Sequence, residues 1–223
     1  TLPPQTLKGG ALKVELVEGR VGAVQIDGVH RTRDQYIFDR VHFSKQGVVD
    51  VPTAARDITW FNKTNEAQLR LLLQPGASFG LTNLSLGITE PKENTLQFFV
   101  DNQGVPSTGV LEYGAYYRGY DFLGDDDNLT VYATDSGGSL AGTISYDVPI
   151  TTSGTRIAGS YTRSSIVVVD GPDALLHVTG KSQAASLTLS QPLIANSNWS
   201  VLASLAGVYG TSNSDAGAVP LVD

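Results

Sequence analysis

Apolar and small polar residues alternate along the second half of the chain. In the stretch 140–148, one side of an extended chain is mainly apolar, and the other side carries Ala, Thr, Ser and Asp. Shorter stretches around Leu129 and Leu187 repeat the pattern. This period of two predicts strands that place one face in an apolar medium and the other in water.

The longest alternation predicts a strand long enough to cross a membrane. From Trp199 to Tyr209, every second position is apolar or glycine. These two aromatic residues are separated by roughly 33 Å along a strand, or about 23 Å of height at a tilt near 45°. A transmembrane β-barrel has an apolar band about 25 Å tall with aromatic residues at each border. The predicted lipid-facing and girdle residues are therefore Tyr146, Trp199, Val201, Leu205 and Tyr209.

Clusters of Gly, Pro, Ser, Asn and Asp divide this half into about seven strands between Thr95 and Thr211. The clusters lie at 101–104, 124–128, 136–138, 151–154, 170–172 and 196–198. A soluble β-sandwich would also show alternating strands. Two features favour a barrel: the strands exceed the usual length of about 5–6 residues, and Lys and Arg are scarce, whereas sandwich surfaces usually carry both signs of charge.

The first 93 residues predict a smaller α+β unit. Alternating apolar residues predict strands over 12–17, 21–26, 68–73 and 81–88. Two helices are predicted in between: Thr32 and Gln35 have the spacing of a capping box, and Pro52 suits the first position of a helix. The second helix places Ala54, Ile58 and Phe61 on one face. From Val21, the predicted order is strand, helix, helix, strand, strand.

Composition excludes several classes of protein. The formal net charge of −7 argues against nucleic-acid binding, which needs clustered Lys and Arg; 11 of the 15 Lys and Arg lie in residues 1–93. No run approaches the ~20 apolar residues of a membrane-spanning helix, so a membrane role requires strands. The chain has no Met and no signal peptide at its start, and we expect a mature or trimmed piece of a longer protein.

Three segments resemble, in order, the outer-membrane transporters of two-partner secretion, the hemolysin-activation and adhesin-export family. Pro4-Gln5-Thr6-Leu7 with the stretch 10–21 resembles the junction between two POTRA domains. The stretch 62–91, with Gln68-Leu69-Arg70 and Pro75-Gly76, resembles the end of the second POTRA domain. Val100-Asp101-Asn102-Gln103-Gly104 and Ser107-Thr108-Gly109 resemble the first barrel hairpin, with Ser-Thr-Gly opening its second strand.

The resemblance implies an α+β POTRA domain followed by antiparallel strands of an incomplete transmembrane β-barrel. Residues 1–19 would be the closing hairpin of a preceding POTRA domain. Residues 20–93 would be a POTRA domain in the periplasm, and residues 94–223 the N-terminal part of the barrel. Arg118-Gly119-Tyr120 is similar to the family's plug-loop motif, but its position indicates the end of the second barrel strand.

No enzymatic site is predicted. His30, His42 and His177 are far apart in the sequence and lie beside no Ser or Cys motif. Asp125-Asp126-Asp127 offers oxygen ligands for Ca²⁺, but the spacing of an EF-hand is absent, and we expect a solvated turn. We expect no catalytic residue, no metal and no cofactor.

The predicted binding site is an exposed edge of the POTRA sheet. Free backbone N–H and C=O groups at an edge can pair with an unfolded client that adds as a further strand. The candidate residues are Gln68, Leu69, Arg70, Leu71 and Leu72. In the alternative interpretation, the side chains of Leu69, Leu71 and Leu73 merely face the helices of the domain, and the strand is not a binding site. A second candidate is a groove beside Tyr36, Phe38 and Phe43.

The resemblance implies a non-enzymatic transporter of the bacterial outer membrane. Its POTRA domain would recognise an unfolded adhesin or hemolysin, and its barrel would export that client without nucleotide. The expected partners are the secreted exoprotein and outer-membrane lipid, with no nucleic acid. Two alternatives remain: an outer-membrane protein assembly factor of the same superfamily, and a soluble β-rich adhesin or binding module.

Overall fold

The computed structural model describes residues 18–44, 47–217 and 219–222. The predicted strand over 12–17 lies outside the described residues, as does most of the predicted closing hairpin. The described chain forms two sheets, one of three strands and one of eight.

The first unit contains three strands and two helices. Their bounds are β1 Arg20–Asp27, α1 Asp34–Phe38, α2 Val51–Thr64, β2 Gln68–Pro75 and β3 Leu81–Thr89. β3 lies in the centre of the sheet, parallel to β1 and antiparallel to β2. The two edges are therefore β1 and β2.

Helix α2 begins at Val51, one residue before the predicted start at Pro52. The Asp50 side chain accepts a hydrogen bond from the Thr53 N–H at 3.0 Å, and a proline occupies the first turn. The predicted apolar face is buried through Ala54, Ile58 and Phe61. Because the apolar residues recur at helical spacing, they form one face of α2 that packs against the sheet. There, Phe61 belongs to the same core cluster as Leu69 and Leu86.

The predicted capping box at Thr32 and Gln35 is wrong. The residue before α1 is Arg33, and its side chain makes no cap hydrogen bond. The Thr32 hydroxyl is used elsewhere: it donates to the Glu90 carboxylate at 2.5 Å and to Asp121 at 3.1 Å. Contacts distant in sequence therefore replace the local cap.

The second sheet is a meander of antiparallel strands. Their bounds are β4 Asn94–Asp101, β5 Glu112–Tyr120, β6 Asn128–Ser136, β7 Ser139–Pro149, β8 Arg156–Val167, β9 Val178–Ala195, β10 Ser200–Ala216 and β11 Val219–Val222. The six predicted turn clusters lie between or at the ends of these strands, and Tyr120 ends the second one as predicted. Ser107-Thr108-Gly109, however, lies in and after a short 3-10 helix and does not open β5.

The sheet is open, with β4 and β11 at its edges. β11 pairs only with the last residues of β10, so most of β10 also has a free side within the described part of the chain. No helix among the described residues is long and apolar enough to cross a bilayer.

The strand register aligns the alternating residues of neighbouring strands, so that side chains of the same kind lie on the same face of the sheet. Leu129 pairs with Tyr146, and Gly159 pairs with both Tyr146 and Leu187, so these residues share one face. On the opposite face, hydroxyl groups bond across the strands: Thr143 to Thr162 at 3.0 Å, Ser160 to Ser186 at 2.7 Å and Ser164 to Ser182 at 2.7 Å. From β7 to β9, one face is therefore mainly apolar and the other is lined by small polar side chains.

Candidate functional site

The free edge of β2 is the first candidate site. The Asn62 side chain binds both backbone groups of Leu69, with its Nδ2 donating to the carbonyl at 2.9 Å and its Oδ1 accepting from the N–H at 2.7 Å. The backbone groups of Leu69 therefore point away from β3. Because this direction alternates along an antiparallel strand, the N–H groups of Leu71 and Leu73 also point to the edge.

Two further features distinguish this edge. Pro75, which has no N–H, occupies the next outward-facing position, where a proline costs the sheet nothing. The opposite edge is partly covered, since Val21 N–H donates to Gly47 O at 2.8 Å and Val49 N–H donates to Gly19 O at 2.9 Å. Within the described ranges, β2 pairs with β3 alone.

The side chains of β2 divide between core and surface. Leu69 is buried and Leu71 is partly buried against the core, as the helix-facing alternative predicts. Leu73 is 49% exposed and Leu72 is 51% exposed, so the alternative fails for Leu73. Arg70 and Gln68 are also exposed. The strand thus contributes to the core through its first half and leaves its second half accessible.

The groove predicted beside Tyr36, Phe38 and Phe43 requires correction. Tyr36 is only 6% exposed, because its ring packs edge-on against Phe61 and its hydroxyl donates to Asn65 at 2.5 Å. The Arg40 guanidinium lies 3.5 Å from the centre of the Tyr36 ring. Burial raises the pKa of the tyrosine. Tyr36 is therefore a core residue and does not offer a client-binding surface.

Phe38 and Phe43 do not form one groove with Tyr36. Phe38 is 37% exposed. Phe43 lines a cavity of about 100 Å³ together with Leu71 and Leu84. This cavity lies between α2 and the sheet, and it reaches the inner side of the candidate edge at Leu71.

The predicted solvated turn at Asp125-Asp126-Asp127 is wrong, because Asp126 and Asp127 are fully buried. Asp126 Oδ1 accepts hydrogen bonds from the backbone N–H groups of Glu66 and Ala67, each at 3.0 Å. Its Oδ2 lies 3.1 Å from Arg156 Nη1. The carboxylate thus joins the loop between α2 and β2 to the second sheet.

The burial of Asp126 has an electrostatic consequence. Burial raises the pKa of this carboxyl, while the hydrogen bonds from Ala67 N–H and the charge of Arg156 act in the opposite direction. Arg156 also contacts Asp147, with Nε donating at 2.6 Å. The buried charge is therefore paired and hydrogen-bonded, the condition under which a protein interior tolerates it.

Two more aspartates shape the same turn. Asp121 accepts from the Asp126 N–H at 2.7 Å and from the Thr32 hydroxyl. Asp127 accepts from Leu123 N–H at 2.8 Å and from the Tyr146 hydroxyl at 2.6 Å. Asp121 and Asp126 adopt positive φ angles of 60° and 62°, a conformation that Asp and Asn tolerate better than most residues. The turn is thus built around its own carboxylates.

The linker between the two units is fixed in the same way. Glu90 accepts hydrogen bonds from Arg31 and Thr32 N–H groups, each at 2.9 Å, and Glu93 pairs with Arg31 Nη1 at 2.8 Å. Arg33 pairs with Asp125, and Arg118 pairs with Glu66. We call the buried turn 121–127 and these partners the junction network. It holds the first unit at one end of the sheet, and we call this the near end.

Sequence reasoning missed the junction network. The available signal was the acidic run itself, placed in a half of the chain that has only four basic residues, two of which are Arg118 and Arg156. These charges meet only through the strand register and the docking of the first unit. The local sequence pattern predicts neither the strand register nor the docking of the first unit.

Four of the five predicted lipid-facing residues lie on the apolar face: Tyr146, Val201, Leu205 and Tyr209. Leu205 pairs with Leu189, which lies two positions from Leu187 on the face that includes Tyr146. Val201 and Tyr209 belong to the same side of β10. Trp199 lies in the turn before β10 and is exposed.

The architecture is similar to that of three larger solved structures. CdiB from Escherichia coli has a TM-score of 0.63 at 19% identity, covering 99% of this chain and 42% of that chain. CdiB from Acinetobacter baumannii has a TM-score of 0.55 at 15% identity, with coverages of 92% and 40%. BamA from Haemophilus ducreyi lacking POTRA domains 1–3 has a TM-score of 0.61 at 18% identity, with coverages of 88% and 36%.

These similarities show a shared fold of antiparallel strands. The chain spans about two fifths of the length of each of these structures. No family model matches the sequence, and no curated protein matches it.

Proposed function

We propose that this chain is the POTRA domain and first barrel strands of an outer-membrane transporter of the two-partner secretion type. The observation that carries the proposal is the pair of faces on the second sheet, one mainly apolar and the other carrying hydroxyl groups that bond across β7, β8 and β9. An apolar face of this extent suits lipid, and a polar face suits a water-filled interior. The shared fold with CdiB supports the same assignment.

Residues 20–93 are proposed to be the POTRA domain. Their order is strand, helix, helix, strand, strand, with two helices covering one side of a three-stranded sheet. The fold match with a BamA lacking POTRA domains 1–3, which covers 88% of this chain, supports this assignment. In this arrangement the near end of the sheet lies in the periplasm and the far end at the cell surface.

The β2 edge is the proposed client site. Leu71 and Leu73 direct backbone groups outward, and the exposed Leu72 and Leu73 side chains add apolar surface. An unfolded adhesin or hemolysin would pair with this strand before entering the barrel. Neither nucleotide nor metal has a role in this scheme.

Leu73→Pro tests the client site. The substitution removes one outward N–H, whereas Leu73→Ala shortens the same side chain and keeps that group. The full-length protein is titrated with unfolded segments of a candidate exoprotein, sought in the gene next to its own. We expect Leu73→Pro to weaken binding about fivefold or more, and Leu73→Ala to weaken it less than about twofold. Equal binding by wild type and Leu73→Pro, with unchanged circular dichroism, would contradict the proposal.

A second candidate is an outer-membrane protein assembly factor. It is favoured by the BamA match, whose TM-score of 0.61 is close to the 0.63 of CdiB. Gene deletion separates the two functions. A transporter's loss abolishes secretion of one exoprotein, whereas an assembly factor's loss lowers the amounts of many outer-membrane barrels.

A further inference from the structure

The second sheet has only four basic residues, and they occupy two different environments. Arg118 and Arg156 lie at the near end and belong to the junction network. Arg163 and Lys181 lie toward the far end, on adjacent strands. Neither of these two forms an ion pair with any residue that the structure describes.

Both far-end cations lie on the apolar face, just beyond its aromatic border. Tyr161 and Tyr209 each pair with Ala185 and mark one row across the sheet. Arg163 lies two residues further, in the row of Gln183 and Thr211. A separation of two residues corresponds to about 7 Å along a strand, or about 5 Å along the membrane normal when the strand has the tilt of a barrel strand. The next row contains Lys181 and Asn213.

These residues surround a shallow polar recess of about 210 Å³. Its lining consists of Arg163, Lys181, Ser182, Gln183, Thr211 and Asn213. Tyr161 donates its hydroxyl hydrogen to Gln183 Oε1 at 3.1 Å, which leaves the amide N–H groups of Gln183 available as donors. The recess thus combines two cations with several neutral donors.

The acidic residues of this face do not neutralise the recess. Asp215 pairs with Thr179, one row beyond Lys181, and Asp135 lies two strands away from Arg163 on β6. Neither carboxylate forms an ion pair with Arg163 or Lys181 among the described residues. The local charge is therefore positive in a chain whose net charge is −7.

We propose that Arg163 and Lys181, with Gln183, Thr211 and Asn213, bind the phosphate of an anionic lipid headgroup in the leaflet remote from the first unit. The guanidinium fork and the ammonium group both match phosphate oxygens. Lipid is favoured over free phosphate because the recess continues an apolar face and begins where headgroups would lie. This inference rests on the membrane placement in the proposed function.

The test compares two lipids that differ only in phosphate. The full-length protein is purified in detergent and titrated with diphosphorylated lipid A or with the same lipid after dephosphorylation, and bound lipid is counted by native mass spectrometry. Arg163→Gln with Lys181→Gln is the test variant. Arg20→Gln with Lys92→Gln removes the same charge from exposed positions in the first unit and the linker, and serves as its control. Circular dichroism and melting in detergent show whether each variant is folded.

We expect wild type and the control variant to prefer the phosphorylated lipid, and the test variant to lose roughly twentyfold in affinity for it. Equal affinity of folded wild type for the two lipids overturns the inference but leaves the proposed function standing. Displacement of the lipid by inorganic phosphate at equal concentration would also overturn it. Failure of the protein to insert into vesicles would overturn the inference and the proposed function together.

Discussion

Asp126 Oδ2 lies 3.1 Å from Arg156 Nη1, and the aspartate is fully buried. The two residues belong to the turn after β5 and to the start of β8, and the other oxygen of Asp126 binds backbone N–H groups of the first unit. One carboxylate therefore connects two strands and the neighbouring unit. This arrangement gives the first unit a fixed position at the near end of the sheet.

Asp126→Asn is expected to destabilise this junction. The amide can accept through one oxygen only, and its NH2 group would face donors from Glu66 or Arg156. Breaking a buried pair on one side typically costs about 3 kcal/mol or more. We expect a lower melting temperature in detergent and faster protease cleavage of the linker 90–93. Asp135→Asn, an exposed substitution in the same sheet, should change neither.

Asp121 makes the stability of the junction depend on pH. Burial raises the pKa of Asp121 above its ordinary 3.8, and hydrogen bonds from Asp126 N–H and Thr32 only partly offset this. Since the folded state binds the proton more tightly than the unfolded state, stability falls as the pH rises through the raised pKa.

Asp121→Asn removes this dependence and tolerates the positive φ angle. The variant should therefore gain stability relative to wild type as the pH rises above the ordinary pKa of 3.8, as measured by melting temperature in detergent. Asp173→Asn, on an exposed turn, provides the reference for loss of a surface carboxylate. A melting-temperature difference between Asp121→Asn and wild type that stays constant as the pH rises from 3.8 would show that Asp121 does not titrate in the junction.

The far-end loops are joined at Gly138. Its N–H donates to Thr108 O and its carbonyl accepts from Val167 N–H, each at 2.6 Å. A Cβ atom at Gly138 would lie 2.1 Å from Val167 O, whereas one at Gly137 would have 3.7 Å to its nearest neighbour. Gly138→Ala should therefore cost about 1–3 kcal/mol, and Gly137→Ala about 0.5 kcal/mol or less. Hydrogen exchange at Val167 and Val169 measures the loosening of the loops.

Local pattern predicted the elements but not their long-range contacts. Helix α2 and the turns between strands follow from the spacing of Pro52, Ile58 and Phe61 and from clusters of turn-forming residues, which act within a few positions. Asp126 and Arg156 are thirty positions apart, and polar turn residues are usually solvated, so their burial required the register and the docked first unit. The burial of Tyr36 does not follow from the sequence, because a helix of five residues presents no clear periodicity.

The central claim is that the two faces of the second sheet meet different media. The chain contains no cysteine, so single cysteines can be introduced at Leu187, Thr188, Ser204 and Leu205 and labelled with a nitroxide in lipid vesicles. Labels at Leu187 and Leu205 should be relaxed mainly by oxygen, which concentrates in lipid, and those at Thr188 and Ser204 mainly by a water-soluble nickel chelate. Shielding of all four labels from both reagents, as inside a closed protein core, would contradict the account.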